Sequence, residues 1–417
     1  MRAGRLLEME ISEASCRARQ EAWKWWDRIA APRRKNGGLP DSPRRHDKDP
    51  SWALIRDRIW KGSAETALAA SGQNGDRRSA RFFIGVEGRD GPTLPAGLPP
   101  GEKQRLLNDA EALGGRRFDL LGYRDLSFGD PIDWHLDPIS GKRAPFVHWS
   151  KLDPLNLDDV GDSKVIWELN RHQWFVRLGQ AYLLTGDERH ARIFAESFKS
   201  WIESNPPGMG INWASSLEAA LRIVAWSWAV FLFHGSRTLT SELTMAVLAA
   251  IRIHATHVEK YLSYYFSPNT HLTGEALGLF YAGILFPEAR AAARWRKLGE
   301  RILLEEIERQ VHADGVYFEQ ATCYQRYTVE IYLHYFLLAK GNGLVVPAIV
   351  LDRIQKMIDF LIAVRSPDGS IPQIGDSDGG WLLPLTSRAP DDLRGLFAVA
   401  AALFGRRDYA WAAAGHA

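Results

Sequence analysis

Amphipathic helical segments separated by short chain breakers dominate the sequence after residue 163. Apolar residues recur there at spacings of three and four, and the alternation typical of strands is nearly absent. Beyond the first hairpins, helices are predicted near residues 240–264, 271–284, 288–310, 323–340 and 346–364. Roughly eight such helices indicate an all-α fold of hairpins packed side by side, as an open solenoid or as a closed ring.

The first hairpin illustrates the pattern. Trp167, Trp174 and Leu178 fall on one face of a helix that is predicted to start near Lys164 and to stop at Thr185-Gly186-Asp187. Glycine is favoured just after a helix C-terminus, and aspartate is favoured as an N-cap. A second amphipathic helix is therefore predicted to begin directly after this turn.

The part of the chain before these helices has a different composition. Residues 1–105 are predicted to be one segment, helical at first and then flexible and rich in Arg, Pro and Gly, and residues 106–417 are predicted to be the helical domain. Residues 118–162 are rich in turn-forming residues and are predicted to be an irregular loop.

Composition argues against several classes of protein. The 52 basic and 50 acidic residues leave a net charge of +2, which does not favour a nucleic-acid partner. Cys16 and Cys323 have no metal-ligand spacing, so we expect free thiols and no metal or cofactor. No apolar run reaches the roughly 18 residues of a membrane span, and charges interrupt each apolar run before Ala31, so no signal peptide is predicted. The oligomeric state is not predicted.

Polar and aromatic side chains concentrate in short segments that precede predicted helices. Such segments would line a groove at one end of a ring of helices. Aromatic faces can stack on sugar rings, although most Trp side chains fill cores. The candidate binding residues in or next to these segments are Trp134, His148, Lys164, Asn170, Arg171, Asn212, Trp213, Glu218 and Arg222. Glu218 and Arg222 are four residues apart on one helix, and the commoner role of such a pair is a mutual ion pair.

Two later segments carry further candidates. Asn269 lies at a helix start, where capping is its ordinary role, and His271 is equally consistent with a partly buried structural histidine. Most tyrosines at helical spacing belong to a core, and a catalytic role is the alternative. Aspartates in Gly-rich loops commonly form Asx turns, and a role as general acid or base is the alternative. The other candidates here are Glu319, Tyr324, Tyr327 and Asp376.

Six ordered motifs resemble the N-terminal helical domain of the heparinase II/III-like polysaccharide lyases. The likeness extends from Phe118 to Trp381 and includes the runs KVIWELNRHQ, GINWASSLEAALR, SPNTHLTGEALGLF and DGVYFEQATCYQRY. The resemblance implies an incomplete (α/α) toroid. It also implies an enzyme that binds an acidic polysaccharide or oligosaccharide, such as a glycosaminoglycan or an alginate, and cleaves it at a uronic acid by β-elimination.

The resemblance assigns roles to three residues. Asn269 matches the asparagine of its motif and would neutralise the uronate carboxylate, with assistance from His271. Tyr324 matches the tyrosine that serves as acid and, in some members, also as base. Gln325 stands where many relatives have His, and the family's C-terminal β-sandwich is expected to be absent because the chain ends at Ala417. Localisation stays open, because no signal peptide is visible in the sequence, which alone favours the cytoplasm, whereas family members are often exported.

Two other functions stay open from the residues alone. An inverting glycoside hydrolase would use two carboxylates, such as those of Glu319 and Asp376, held about 6.5–9.5 Å apart. A non-catalytic scaffold would bind a polysaccharide through the same aromatic and Arg side chains without cleaving it. Replacing Tyr324 by Phe separates lyase from hydrolase, because a hydrolase does not need the phenol.

Overall fold

The computed structural model describes residues 10–30, 81–83, 87–88, 91–92, 98, 101–377, 381–387 and 389–414. Its helices are, in chain order, α1 (Ile11–Ala30), α2 (Glu102–Gly114), α3 (Leu157–Val160), α4 (Ser163–Asn170), α5 (Trp174–Thr185), α6 (Glu188–Ser204), α7 (Ser216–Leu232), α8 (Ser241–Lys260), α9 (Thr270–Leu285), α10 (Ala292–Gln310), α11 (Thr322–Gly341), α12 (Ala348–Ala363), α13 (Arg394–Phe404) and α14 (Arg407–Ala414). Strands β1 (Glu87–Gly88) and β2 (Gly91–Pro92) pair antiparallel, as do β3 (Phe118–Leu120) and β4 (Tyr123–Leu126). The predicted all-α class is confirmed.

Four hairpins form two layers of helices. In the inner layer α5, α7, α9 and α11 pack in that order, and each also packs against the outer helix that follows it, namely α6, α8, α10 or α12. All but one residue of α7 and all but one of α9 are buried, which is the pattern of a helix enclosed on every side. The arrangement is an incomplete (α/α) toroid, as expected.

The direction of the helices sets the position of the site. Consecutive helices are joined by short connections and run antiparallel, so the four inner helices run parallel to one another. At the first turn Gly186 adopts a left-handed conformation with φ 68°, and the side chain of Asp187 accepts a hydrogen bond from the Arg189 N–H at 2.8 Å. The predicted helix stop and N-cap are confirmed. The N-termini of all four inner helices therefore lie at one end.

A break divides the first predicted helix. Helix α4 ends at Asn170 and α5 begins at Trp174, because His172 between them has φ 59°, which breaks the helix. The buried His172 ring is held by the Trp226 indole N–H, which donates to Nδ1 at 2.9 Å. The continuous helix was a wrong prediction, since the apolar stripe runs through the break and periodicity cannot detect it.

The N-terminal part packs on the toroid where it is described. Tyr261 donates its hydroxyl to Asp27 of α1 at 2.8 Å, and Lys260 forms an ion pair with the same carboxylate at 3.1 Å. The division at residue 105 stays a prediction, and the Arg-rich connector lies mostly outside the described residues. Residues 118–162 are mostly irregular as expected, but they also contain the β3–β4 hairpin and α3.

Two further predictions concern the cysteines and membrane-spanning helices. Cys16 and Cys323 are both free thiols, as predicted. Among the helices in the described part of the chain, none combines the length and the apolar character that crossing a bilayer requires.

Glycine on α9 allows its close approach to α7. A Cβ atom added to Gly278 would lie 2.7 Å from the Ala220 Cβ and 2.9 Å from the Ala220 Cα. Two backbones approach this closely only where one side chain is absent. Gly278 therefore sets the spacing of two inner helices.

Replacing Gly278 by Ala should lower the free energy of unfolding by roughly 1–3 kcal/mol, because the methyl group forces α7 and α9 apart. Gly341→Ala is the matched control. Its Cβ would meet only the Phe82 carbonyl oxygen, at 3.7 Å, so this variant should be as stable as the parent or slightly more stable. Urea denaturation measures both; equal stability of the two variants would contradict this account of the packing.

Candidate active site

The candidate site lies at the end of the toroid where the inner helices begin. Free backbone N–H groups and the positive ends of four helix dipoles are directed toward this end. Such an arrangement favours a negatively charged ligand. The sequence segments that concentrate polar and aromatic residues lie immediately before α5, α7, α9 and α11, so the fold gathers them here.

Asn269 is the N-cap of α9 and is fixed at both ends of its amide. Its Oδ1 accepts the backbone N–H of His271 at 3.1 Å, and its Nδ2 donates to Glu319 Oε2 at 2.8 Å. The other oxygen of Glu319 accepts from the backbone N–H of Thr270 at 3.3 Å and from its hydroxyl at 3.1 Å. Glu319 thus joins the start of α9 to the segment that precedes α11. Asn269, His271 and Glu319 are all half-buried, so a ligand can reach them.

Tyr324 lies in the first turn of α11, the inner helix next to α9. Its hydroxyl donates to Asp376 Oδ2 at 3.2 Å, and its ring is half-buried. The segment that carries Asp376 is tied to the same helix start, because Thr322 Oγ1 donates to the Pro372 carbonyl at 2.8 Å and accepts from the Ile374 N–H at 3.1 Å. The exposed carboxylate therefore holds the phenol as a hydrogen-bond donor.

Arg171 occupies the centre of a buried charge cluster before α5. Its guanidinium donates to Glu218 at 2.7 and 3.0 Å and to Glu168 at 2.5 Å. Burial opposes its charge, but the two carboxylates outweigh burial and raise the pKa of Arg171 well above its usual value. Tyr327 of α11 is buried and lies near this cluster. The cluster connects α4, α7 and α11.

The predicted ion pair between Glu218 and Arg222 is wrong. Glu218 pairs with Arg171, whereas Arg222 is fully buried and binds His254 Nε2 at 3.0 Å and the Asn212 carbonyl at 2.5 Å. The side chain of Arg222 also lies over the Trp201 ring, 4.9 Å from its centroid. Burial lowers the pKa of Arg222 to about 9. A break in the chain before α5 brings Arg171 within reach of Glu218, which helical spacing does not reveal.

Several predicted binding residues lie beneath the surface. Asn170 and Asn212 are fully buried, and their amide nitrogens both donate to the Trp134 carbonyl at 3.0 Å. The Trp134 indole donates to Ser200 at 3.1 Å, and the Trp213 indole donates to the Asn205 carbonyl at 3.3 Å. With Arg222, these four side chains form the floor under the site and cannot touch a ligand in this conformation.

The remaining predicted residues are more peripheral. His148 is buried and caps a 3₁₀ turn, with its Nδ1 2.9 Å from Ser150 Oγ, and Lys164 is exposed on α4. The structure thus pairs Asn269 with Glu319 and Tyr324 with Asp376 at the starts of the adjacent helices α9 and α11, with His271 beside Asn269, and it places the other predicted residues around or below them.

Gln173 and Trp381 were not among the predicted site residues. Gln173, at the start of α5, donates to the carbonyl of Leu382 at 2.9 Å and to that of Trp381. The guanidinium of Arg326 on α11 lies 3.8 Å from the centroid of the Trp381 ring. Trp381 therefore lies between the first and last inner helices. A tryptophan beside a Gly-rich loop was the available signal, and its contacts were not predictable because Gln173 is 208 residues away in the sequence and Arg326 lies on another helix.

Glu275 lies on α9, one and a half turns after Asn269, but it does not belong to the exposed group. It is fully buried and accepts the backbone N–H of Ser263 at 2.8 Å and its hydroxyl at 2.6 Å. Burial raises the pKa of Glu275 to about 8. This carboxyl holds the α8–α9 connection against α9. Within the described residues, no group of three or more His, Cys, Asp and Glu side chains is arranged to hold a metal ion.

The fold and the site define a class of helical toroid proteins with polar, half-buried side chains at the N-termini of the inner helices. Residues 102–383 match the family model described as the heparinase II/III N-terminus. Because this match covers more than half of the chain, the chain belongs to the heparinase II/III family.

Individual relatives agree with this assignment. A heparin-sulfate lyase of Bacteroides stercoris is 29% identical over 300 residues, which are 66% of this chain and 41% of that protein. A solved structure of heparinase III aligns with a TM-score of 0.60 at 21% identity, covering 86% of this chain and 52% of that one. A heparan sulfate lyase from Pedobacter heparinus aligns with a TM-score of 0.57 at 23% identity, covering 88% and 51%. The chain therefore spans about half the length of these proteins or less, and the structural likenesses support the fold.

The buried carboxyl makes stability depend on pH. Glu275 favours the folded state while it is protonated, so its contribution is complete below pH 4.5 and is lost as the pH rises toward about 8. Between these values the parent should lose roughly 1 kcal/mol more per pH unit than Glu275→Gln, whose amide imitates the protonated carboxyl. Urea denaturation from pH 5 to pH 7.5 measures the difference. Parallel profiles of the two proteins would show that Glu275 is not protonated in the fold.

Proposed function

We propose that this protein is a polysaccharide lyase that cleaves a uronic-acid-containing acidic polysaccharide by β-elimination. The observation that carries the proposal is the placement of a fixed amide, Asn269, and a phenol donor, Tyr324, at the starts of adjacent inner helices. The match to the heparinase II/III family and the heparin-sulfate lyase relatives support it.

Asn269 would neutralise the carboxylate of the uronic acid. The C5–H of a uronate becomes acidic only if the negative charge that develops on the carboxylate is stabilised by donors placed in advance. An amide nitrogen carries two N–H groups, and Glu319 accepts from one of them. The second N–H would donate to the substrate, and His271 in the first turn of α9 would assist.

Tyr324 would act as acid and base. In the elimination the C5–H bond breaks, its electron pair forms the C4–C5 double bond, and the C4–O4 bond breaks toward the leaving sugar. The proton from C5 must be accepted, and the O4 oxygen must gain a proton as it leaves. The Tyr324 hydroxyl is held as a donor by Asp376, which suits protonation of the leaving oxygen. Passing the C5 proton through the same phenol keeps the step balanced.

Glu319 would position Asn269 rather than react. Its two oxygens already accept three hydrogen bonds, from Asn269 Nδ2 and from the N–H and hydroxyl of Thr270. These bonds orient the amide and the first turn of α9 toward the substrate carboxylate. A hydrolase that uses Glu319 as its acid or base would have to release this carboxylate from all three donors.

Tyr324→Phe should lower the rate of unsaturated product formation by about 10²–10⁴, because the phenol proton is lost. The assay incubates the protein with several uronate polysaccharides, including heparan sulfate and alginate, and follows the ultraviolet absorbance of the new double bond. Tyr123→Phe, an exposed tyrosine on β4, is the matched control and should retain full activity. New reducing ends without this absorbance would indicate hydrolysis, and binding without either signal would indicate a non-catalytic scaffold.

Glu319→Gln separates positioning from direct proton transfer. The glutamine keeps one acceptor and loses the charge, so we expect roughly a tenfold loss of kcat/KM. If Glu319 were a hydrolytic acid or base, the same change would cost about 10²–10⁴, and Tyr324→Phe would cost little. Initial rates of both variants on one polysaccharide decide between the two outcomes.

A further inference from the structure

A cleft opens at the same end of the toroid, outside the group formed by Asn269 and Tyr324. It has a volume of about 490 Å³, and its walls include Asp133, Arg143, Phe146 and Glu203 over a base formed by Trp134 and His135. None of these residues except Trp134 was a candidate from the sequence.

Hydrogen bonds place this cleft next to the starts of two inner helices. The Trp134 carbonyl accepts from Asn170 and Asn212, which lie just before α5 and α7. The His135 Nε2 lies 3.2 Å from the carbonyl oxygen of Ser204, the last residue of α6. Because α6 runs opposite to the inner helices, its C-terminus lies at the end where they begin. The cleft is therefore beside the starts of α5 and α7, next to the end of α6.

The walls combine an aromatic face with polar groups in fixed positions. Phe146 is 48% exposed, and its ring meets the edge of His135 with centroids 5.7 Å apart. Arg143 Nε donates to Asp133 Oδ2 at 2.8 Å. The other oxygen of Asp133 accepts a hydrogen bond from the backbone N–H of His135 at 3.0 Å. An aromatic face beside planar charged side chains can stack on the apolar face of a sugar ring and bind its hydroxyls.

The charges of the cleft argue for an uncharged sugar. Arg143 is already paired with Asp133, and Glu203 adds a second carboxylate. His135 adds no positive charge, because burial lowers its pKa. A sugar carboxylate or sulfate in the cleft would face two acids and one neutralised cation, whereas hydroxyl groups can both donate and accept.

The close packing of His135 explains why the cleft keeps its shape. Gly210 has φ 82°, and a Cβ atom added there would lie 2.5 Å from His135 Cε1. The histidine ring is therefore confined between the backbone of this glycine and the end of α6. Phe146 packs against this confined ring, which holds its position.

We propose that this cleft binds an uncharged pyranose unit of the same polysaccharide chain whose uronate is held at Asn269. This inference rests on the proposed function. Two spacings between neighbouring inner helices separate α9, which carries Asn269, from α5, which is about 16–20 Å at 8–10 Å each. Only a chain long enough to span that distance reaches both positions, so the cleft gives the protein a preference for longer oligosaccharides.

Calorimetric titration with two lengths of an unsulfated glucuronate–N-acetylglucosamine oligosaccharide tests the proposal. The Tyr324→Phe protein is the parent, so that the ligand is not consumed. We expect the decasaccharide to bind more tightly than the disaccharide, and Phe146→Ala to weaken decasaccharide binding about five- to tenfold. The disaccharide is too short to occupy the cleft and the position at Asn269 together, so its Kd should be the same with and without Phe146. Leu155→Ala, which shortens a more exposed apolar side chain of the same irregular segment (81% exposed against 48% for Phe146), is the control and should change neither Kd.

The outcomes separate this proposal from the proposed function. Equal decasaccharide affinity with and without Phe146, an equal loss for both lengths, or no binding of either length would overturn the cleft as a sugar site. Length-dependent binding that falls in Phe146→Ala, while the protein with Tyr324 intact forms no unsaturated product, would support the cleft and contradict the lyase. Glu203→Gln provides a second variant that should not disturb folding, because Glu203 is exposed; it should improve binding of a sulfated decasaccharide relative to the unsulfated one.

Discussion

The parallel direction of four inner helices is the constraint on which the site depends. Each helix presents unpaired N–H groups at its first turn, and the hairpin connections bring these turns to the same end of the toroid. Side chains that are far apart in the sequence thereby become neighbours. The spacing between α7 and α9 depends on Gly278, so the geometry of the site originates in backbone contacts deep in the core.

A polar layer separates this end from the apolar core. Trp134, Asn170, Asn212 and Arg222 form it, and each is essentially inaccessible to solvent. A buried cation without a carboxylate partner is costly, and the Asn212 carbonyl, His254 and the Trp201 ring compensate for that cost at Arg222. Such a layer holds the segments before α5 and α7 in one arrangement. The groups above it can then act from fixed positions, as catalysis by electrostatic stabilisation requires.

Local patterns predicted much of the fold and the placement of Asn269. Helix periodicity located the hairpins, and the turn at Gly186-Asp187 follows from the conformational preferences of those residues. The asparagine at the start of α9 caps the helix as its ordinary role predicts, and its amide nitrogen also donates to Glu319. Both features depend on residues close together in the sequence.

Features that depend on distant contacts were not predictable in the same way. The break at His172 is stabilised by Trp226, which lies 54 residues further along the chain. The true partner of Glu218 is Arg171, 47 residues away, and the aromatic residue Trp134 is almost fully buried. Spacing along one helix cannot identify the partner of such a side chain, because the possible partners come from other elements of the toroid.

The central claim is that an amide and a phenol on neighbouring helix starts act on one uronic acid unit. A crystal structure of the Tyr324→Phe protein with a bound uronate oligosaccharide tests it most directly. The account predicts a sugar carboxylate within hydrogen-bond distance of Asn269 Nδ2 and the adjoining glycosidic oxygen facing residue 324. A sugar carboxylate bound elsewhere, with Asn269 contacting only Glu319 and the first turn of α9, would contradict it.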